Sequence, residues 1–421
     1  MVATADAANV RRLLLQLGVA LTMTGDAVSE IQGHLRAIAT AYGHPRARVA
    51  VFPTMLIVAL DEGESAGFRP IDPVGELRLD QASDVIRLAR AAEKTRMPPG
   101  EALAELARIL AMRPRFGSTA SIVSHGVLTV GLGLVINPAP VDLWVYAALG
   151  MLVGAMKIWA ARFGTGGYLL PVVAAAVISA IAFLAHGGND AASLRLTIPP
   201  LVTFLPGALL TMATVDLAMG ETITGASRFV AGFLQLALLG IGIVVGAELV
   251  GNPHTGPVAG AAADTLGSWA PWAGVAIFGV GVYIHDSAPK RSLPWLLVVL
   301  FTAWAGQLAG EHIIDATLSG FVGAAVMVPV AHVVAHARSA PPAHVMFLPS
   351  FWLLVPGTLG LIGITELVGE NPEAGTQNLS TALVAIPAVA LGILVGTMVV
   401  RAARIAMRTD IAKRRPSWPG P

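Results

Sequence analysis

The chain contains no cysteine among its 421 residues. Disulfide bonds and thiolate metal sites are therefore excluded, because both need the cysteine sulfur. No Gly-x4-Gly-Lys-Ser/Thr sequence occurs, which excludes an ATP-binding P-loop in this chain. The net charge is only +1, and no basic stripe with interleaved aromatic residues is present, so the sequence predicts no nucleic-acid partner.

Charged side chains are scarce over most of the chain. Asp, Glu, Lys and Arg together number 27 in residues 1–116, 19 in residues 117–400 and 7 in the last 21 residues. With 55% hydrophobic residues and a mean hydropathy of +0.71, the chain is too apolar for a soluble protein of this length. This distribution predicts a water-facing N-terminal domain over 1–116, followed by a large membrane domain.

The N-terminal domain is predicted to be a small α/β domain. Apolar residues recur every three or four positions from Val10 to Ile38, which predicts two amphipathic helices separated at Thr24-Gly25-Asp26. The apolar run after Arg11-Arg12 also fits a cleaved signal peptide, but no small-residue cleavage pattern follows it. The domain either supports the membrane part structurally or has a regulatory or substrate-gating role. The remaining predicted elements are a β-rich run over Val49–Leu60, a weaker extended stretch near 68–79, and helices over 81–94 and 99–112.

Residues 117–405 contain enough apolar sequence for about ten membrane-spanning helices. A bilayer core of about 30 Å requires roughly 20 apolar residues per helix. The expected fold class is therefore a polytopic α-helical membrane protein. The predicted segments are 118–136, 142–161, 167–186, 198–219, 229–250, 271–285, 293–310, 316–336, 345–368 and 380–402.

The Lys and Arg residues of the short loops predict the orientation, because cytoplasmic loops carry an excess of them. If the N-terminus is cytoplasmic, the outward loops carry only Arg195. We therefore expect a multi-pass protein of the cell (inner) membrane with both termini in the cytoplasm and a basic cytosolic tail over 406–421. The inward loops carry Lys157, Arg162, Arg228, Lys290, Arg291 and Arg338.

A repeat with an offset of 150 residues runs through the membrane domain. Leu205–Leu217 holds a Pro-Gly pair followed ten residues later by an acid, and Val355–Leu367 repeats this pattern. Proline removes a backbone donor and glycine relaxes the φ restriction, so both helices should be broken at matching places. The two copies, 117–251 and 252–405, hold five predicted helices each. Because each copy has an odd number of helices, corresponding helices cross the membrane in opposite directions. This predicts inverted repeats related by a pseudo-two-fold axis in the membrane plane.

The order of these parts resembles the threonine/serine exporter family. The matching features are Leu21-Thr22-Met23-Thr24-Gly25-Asp26-Ala27, Phe52-Pro53-Thr54 within a strand, the amphipathic helices before the membrane, and a five-helix block containing Pro206-Gly207 through Gly225-Ala226-Ser227-Arg228. The resemblance implies export of small hydroxy amino acids driven by the proton-motive force. Similar halves also occur as separate subunits linked to succinate export, so a dicarboxylate is the alternative substrate.

The candidate pathway residues lie on the two broken helices. A break exposes backbone N–H and C=O groups that suit the carboxylate and ammonium of an amino acid. Asp216 and Glu366 are candidate proton acceptors, because an ionisable group within a span is costly unless it is paired or hydrated. The alternatives are interfacial carboxylates and threonines that bond to their own backbone. The full set is Pro206, Gly207, Thr211, Thr214 and Asp216 in the first half, and Pro356, Gly357, Thr358, Thr365 and Glu366 in the second.

Three histidines add further hypotheses. His125 is a candidate proton relay, since its ordinary pKa lies near neutrality. The alternative is a core histidine satisfied by Ser121 or Ser124. His332 and His336 have a spacing that can bind a metal, but no Glu follows the first His as in zinc hydrolases, so no metal and no cofactor are predicted.

These observations predict a secondary exporter of threonine and serine that works by proton antiport and alternating access of the two repeats. Its expected partners are the small-molecule substrate, protons and the lipid bilayer, and homo-oligomerisation is left open. A dicarboxylate exporter would need more positive charge within the spans than Lys157 supplies. A membrane sensor with a ligand-binding N-terminal domain is a further alternative. An enzyme is not expected, because catalytic motifs and clustered intramembrane acids are lacking.

Overall fold

A computed structural model describes most of the chain, and the statements below concern the residues that it describes. These are residues 2–61, 65–71, 77–95, 97–136, 143–163, 169–186, 190–251, 266–354, 357–368 and 372–414.

The N-terminal domain packs four helices around one small sheet. Apolar side chains at helical spacing, such as Leu17 and Leu35, are fully buried in its core. Gly25 adopts a φ of +78° between the first two helices, where most residues with a side chain would be strained. The two predicted helices and their separation are confirmed. The elements are α1 (Val2–Thr22), α2 (Val28–Ala41), β1 (Arg48–Val51), β2 (Met55–Ala59), β3 (Gly67–Pro70), α3 (Leu79–Thr95) and α4 (Pro99–Leu110).

The predicted β-rich run proves to be a hairpin. β1 and β2 pair antiparallel with Val51 opposite Leu56, and β3 adds to β2 in the order β1-β2-β3. The expectation that Phe52-Pro53-Thr54 lies within a strand was wrong, because these residues form the turn between β1 and β2. Pro53 has no N–H to donate to a sheet, so the strand interior is unfavourable for it.

The membrane domain consists of apolar helices and two short 3-10 helices. The elements of its first half are α5 (Ser118–Ile136), α6 (Leu143–Ala160), α7 (Leu170–His186), α8 (Asp190–Thr197), the 3-10 helix Pro199–Phe204, α9 (Gly207–Ala218) and α10 (Thr222–Leu249). Those of the second half are α11 (Ala270–His285), α12 (Leu293–Ile313), α13 (Ser319–Val334), α14 (Ala343–Phe347), the 3-10 helix Leu348–Ser350, α15 (Phe351–Leu354), α16 (Gly357–Val368) and α17 (Pro372–Arg414).

Five helices are long and apolar enough to cross a membrane: α5, α6 with its 3-10 extension to Phe163, α10, α12 and the part of α17 up to Met407. Five shorter apolar segments accompany them, and each of the ten predicted segments overlaps one of these helices. Trp144 and Trp159 lie near opposite ends of α6 with 72% and 62% of their surface exposed. Exposed tryptophans at helix ends are typical of the two membrane interfaces.

The repeat read from the sequence recurs as a repeat of elements. Three pairs of helices begin 150 residues apart, at Leu143 and Leu293, Gly207 and Gly357, and Thr222 and Pro372. The packing recurs as well. α7 packs on α10 as α13 packs on α17, and α9 packs on α10 as α16 packs on α17. Between the halves, α5 packs against α11, α10 against α16, and α17 against α9.

The long helix α17 joins the two domains. It continues through the predicted boundary at residue 405, and its Arg401 donates to Glu30 of α2 at 2.7 Å. Further hydrogen bonds cross the same interface. Leu79 N donates to Asp286 O at 3.1 Å, and Thr224 Oγ1 donates to Val51 O at 3.1 Å. The N-terminal domain is thus docked on one end of the membrane domain.

Candidate functional site

The fourth predicted segment, 198–219, is broken at Pro206-Gly207, where the Pro-Gly pair predicts a break. The 3-10 helix ends at Phe204, and α9 begins at Gly207. α9 has 12 residues, so it rises about 18 Å and cannot cross a bilayer core of about 30 Å alone. Two carbonyls before the break are already bonded to side chains, since Gln235 Nε2 donates to Phe204 O at 2.6 Å and His125 Nε2 lies 3.2 Å from Pro200 O.

The ninth predicted segment, 345–368, is described up to Leu354 and again from Gly357, which corresponds to Gly207 in the first half. Pro356 lies outside the described residues, and the side chain of Thr358 is likewise not described. The break predicted at Pro356-Gly357 therefore stays a prediction.

Three hydroxyl groups near these breaks are buried without a hydrogen-bond partner among the described residues. They belong to Thr203, Thr211 and Ser350. Thr211 and Ser350 are completely buried, and α9, which carries Thr211, packs against α15, which follows Ser350. A buried hydroxyl without a partner costs about 1–3 kcal/mol, so these groups are suited to bind a polar ligand between the halves.

Thr214 and Thr365 behave differently from Thr211. Thr214 Oγ1 donates to Leu210 O at 3.0 Å, and Thr365 Oγ1 donates to Leu361 O at 2.8 Å. Both hydroxyls are satisfied by the backbone of their own helices, as the alternative interpretation of membrane threonines predicts.

Asp216 connects the membrane domain to the N-terminal domain. Its carboxylate is completely buried, with Oδ1 accepting from Val28 N at 2.9 Å and Oδ2 accepting from Arg228 Nη1 at 2.7 Å. Val28 is the first residue of α2, so Asp216 caps that helix from another domain. The positive end of the helix dipole favours a carboxylate there. The same Arg228 nitrogen also donates to Asp26 O at 3.2 Å.

The expectation that Arg228 lies in a cytoplasmic loop is wrong. It lies in α10, its side chain is only 12% exposed, and it forms an ion pair with Asp216. Glu366 occupies the equivalent position in the second half, where its Oε2 accepts from Asn378 Nδ2 at 2.6 Å. Asn378 follows Glu366 by 12 residues, as Arg228 follows Asp216, so the sequence repeat itself could have identified both partners.

His125 belongs to a polar cluster that the sequence did not predict. Its ring contacts that of His285 edge to face, with 4.9 Å between the centroids. Lys157 Nζ lies 3.3 Å from His285 Nε2 and 5.6 Å from the centre of the Phe204 ring, just before the first break. The suggested partners Ser121 and Ser124 do not satisfy His125, since its described hydrogen bond goes to Pro200 O.

His332 and His336 each have Nδ1 within hydrogen-bond distance of a backbone carbonyl of their own helix, at 2.9 and 2.8 Å. No group of three potential metal ligands occurs among the residues that the structure describes.

The fold and the site define a polytopic membrane protein of two matched halves, with a broken apolar segment in the first half and an α/β domain docked at one end. Pro-Gly interruptions at matching places of two halves, as in this sequence, are typical of secondary transporters. A family model described as "Putative threonine/serine exporter" matches residues 12–250, which is more than half of the chain, and the chain belongs to this exporter family. The match covers the N-terminal domain beyond its first turns and the first half of the membrane domain. No curated protein and no solved structure matches the chain.

Proposed function

We propose that the chain is a secondary exporter of small hydroxy amino acids, with threonine and serine as its substrates and protons as the exchanged ion. The observation that carries this proposal, beside family membership, is the presence of partnerless buried hydroxyls near the break before α9 and in the equivalent segment of the second half. Such breaks leave backbone groups for the ammonium and carboxylate of the substrate. Thr211 and Ser350 would then bond its side-chain hydroxyl.

The packing between the halves supports alternating access of inverted repeats. The last helix of each half packs on the short helix of the other half, α10 on α16 and α17 on α9. A two-fold relation between the halves would produce this exchange of contacts. We propose that the axis lies in the membrane plane and that the halves rock about the contact between α5 and α11. We further propose that the N-terminal domain is cytoplasmic, on the inner membrane, as the excess of Lys and Arg in the inward loops indicates.

Proton exchange is assigned to the two repeat-related acids, with the His125 cluster as a second route. Protonation of Asp216 would remove the counter-charge of Arg228 in a buried place, which is costly. Glu366 accepts from the neutral amide of Asn378, and an amide can bond a protonated carboxyl as well as a carboxylate. Glu366 is therefore the first residue to test, and Glu366→Gln should abolish the dependence of flux on the pH gradient.

The decisive experiment is flux in proteoliposomes that contain the purified chain. Labelled threonine, serine and succinate are compared with and without an imposed pH gradient. Gradient-dependent flux of threonine or serine is expected. Flux of succinate alone would assign the protein to dicarboxylate export instead, and an absence of flux for all three compounds would contradict the proposal.

Two neighbouring threonines provide a matched pair of variants for the binding site. Thr211→Val replaces a partnerless hydroxyl by a methyl group of similar size, whereas Thr214→Val removes a hydroxyl already bonded to its own helix. If Thr211 bonds the substrate, Thr211→Val should raise the KM for threonine by about tenfold. Loss of a hydrogen bond worth about 1.4 kcal/mol weakens binding by this factor. Equal effects of the two substitutions would remove Thr211 from the site.

A further inference from the structure

A cavity of about 270 Å³ lies between the N-terminal domain and the membrane domain. The domain contributes residues of α2 and α3, and the membrane part contributes residues of α9, α13, α14 and α17. At about 30 Å³ per water, the cavity has room for roughly nine waters, which is enough for a free amino acid of small size. It adjoins α9 and α14, which belong to the fourth and ninth predicted segments. The cavity thus contacts both Pro-Gly segments from the side of the N-terminal domain.

One end of the cavity presents a histidine nitrogen and a carboxylate side by side. His344 is 7% exposed, and its Nε2 lies 3.0 Å from Thr24 O. A carbonyl oxygen only accepts, so Nε2 carries a hydrogen, and Nδ1 of a neutral ring is an acceptor. That Nδ1 is buried without a hydrogen-bond partner among the described residues, and it lies 3.4 Å from Asp26 Oδ1, which already accepts from Ala27 N at 2.8 Å. A carboxylate has further acceptor capacity, so an ammonium group with its three hydrogens would bond both Nδ1 and the Asp26 carboxylate.

The cavity also carries two arginines without a direct acidic contact among the described residues, although the charges of Glu93 and Asp26 act on Arg90. Arg90 of α3 and Arg404 of α17 line it, and their charges are close enough to act on one another. Within the described part of the chain neither guanidinium forms a hydrogen bond or an ion pair, in contrast to Arg401, which donates to Glu30. His34 also lines the cavity, and its hydrogen bond to Glu93 raises its pKa above the ordinary value. This part of the cavity is suited to an anionic group.

Most of the remaining wall is apolar, apart from Ser29, His332 and Thr397. It includes Met212, Val215 and Phe347. Such a surface can hold the aliphatic part of a small amino acid without leaving a polar group unpaired, while the charged walls fix the two charged groups of the molecule.

We propose that this cavity binds the zwitterion of a small α-amino acid before it reaches the helix breaks, with its ammonium at Asp26 and His344 and its carboxylate at Arg90 and Arg404. The inference rests on the proposed function and adds a second binding place to it. It also makes the N-terminal domain part of the substrate route, because Asp26 and Arg90 belong to that domain.

The test is equilibrium binding of labelled threonine and labelled succinate to the full chain in lipid nanodiscs, together with flux of both compounds in proteoliposomes. Two variants alter the cavity, the double substitution Arg90→Gln with Arg404→Gln, and the isosteric Asp26→Asn. The control is Arg108→Gln, which removes an exposed arginine that is paired with Glu105 at 2.6 Å outside the cavity.

The double variant should bind threonine about tenfold more weakly or worse, because it loses hydrogen bonds to the charged carboxylate of the substrate. Threonine binding should be unchanged in Arg108→Gln. Asp26→Asn should weaken threonine binding and leave succinate binding equal or stronger, because only the amino acid has an ammonium group. If both cavity variants bind and transport threonine like the unmodified protein, the cavity assignment is wrong and the exporter function stands. If the unmodified protein neither binds nor moves threonine or serine, both proposals fail together.

Discussion

The carboxylate of Asp216 shows how one side chain can serve two domains. Within the membrane domain it neutralises Arg228, and within the N-terminal domain it caps α2 through Val28 N. Removing its charge would leave a largely buried guanidinium without a partner, and such a loss generally costs about 3–5 kcal/mol. Docking of the N-terminal domain therefore depends on a residue that the sequence places in a membrane segment.

Matched substitutions in the two halves test this dependence. We expect Asp216→Asn to lower the free energy of unfolding by about 3 kcal/mol, because the ion pair with Arg228 is lost. Glu366→Gln should cost less than about 1 kcal/mol, since an amide oxygen can still accept from Asn378. Denaturant unfolding in detergent, followed by tryptophan fluorescence, measures both. A larger loss for Glu366→Gln would show that the contact with Asn378 matters more than the ion pair.

At the scale of single residues, the repeat predicted which residues to examine, whereas their partners Arg228 and Asn378 were not predicted although both follow at the same spacing of 12 residues. Asp216, Glu366 and Thr211 were identified because the Pro-Gly pattern recurs after 150 residues. The cavity was not predicted, because Asp26 and His344 are separated by more than 300 residues of chain. Local periodicity carries no information about contacts between domains.

Among the elements, α5 and α11 make the most extensive contact between the halves. A Cβ atom added to Gly131 would collide with the backbone of Phe278, and one added to Gly281 would lie 2.5 Å from Leu128 N. Gly131 corresponds to Gly281, and Leu128 to Phe278, at the offset of 150 residues. Small residues allow helices to pack this closely, so the same contact is made twice around the centre of the molecule.

Substitution of these glycines tests the importance of the contact. Gly131→Ala and Gly281→Ala should each destabilise the protein by about 1–3 kcal/mol, because backbone atoms must move to admit the methyl group. The control is Gly33→Ala in α2, where the position is exposed and open space surrounds the added methyl group. That variant should be up to about 1 kcal/mol more stable, since alanine favours helix. The same unfolding assay compares all three, and a neutral Gly131→Ala would contradict a tight contact.

Helices were easier to predict than strands and termini. Long apolar runs predicted the places of the spans, and the first Pro-Gly pair predicted the break before α9, because bilayer thickness and proline geometry act locally. The break predicted at Pro356-Gly357 lies at the edge of the described residues and stays a prediction. The hairpin around Pro53 was missed, since a continuous apolar run does not reveal where a strand turns. The start of α10 at Thr222, seven residues before the predicted 229, reflects polar residues that are buried by the docked domain rather than by lipid.

For the whole molecule, the absence of cysteine makes the topology directly testable. Lys290 and Glu373 are exposed at opposite ends of the membrane domain. Lys290 lies next to the docked N-terminal domain. Glu373 lies at the start of α17, whose other end contacts Glu30 of the N-terminal domain. A membrane-impermeant maleimide should label Glu373→Cys in intact cells and Lys290→Cys only after permeabilisation. The unmodified chain is the control, because it has no thiol to label. The reverse pattern would place the N-terminal domain outside.

The cap on α2 also has a consequence in time. Val28 and Asp216 are 188 residues apart in the chain, and a ribosome adds about 5–20 residues per second. The first residues of α2 therefore exist for roughly 10–40 s before the carboxylate that caps them has been synthesised. During that interval the docking face of the N-terminal domain has no membrane domain to cover it. A fault in the insertion of α9 would thus leave a defect in a domain that was made long before it.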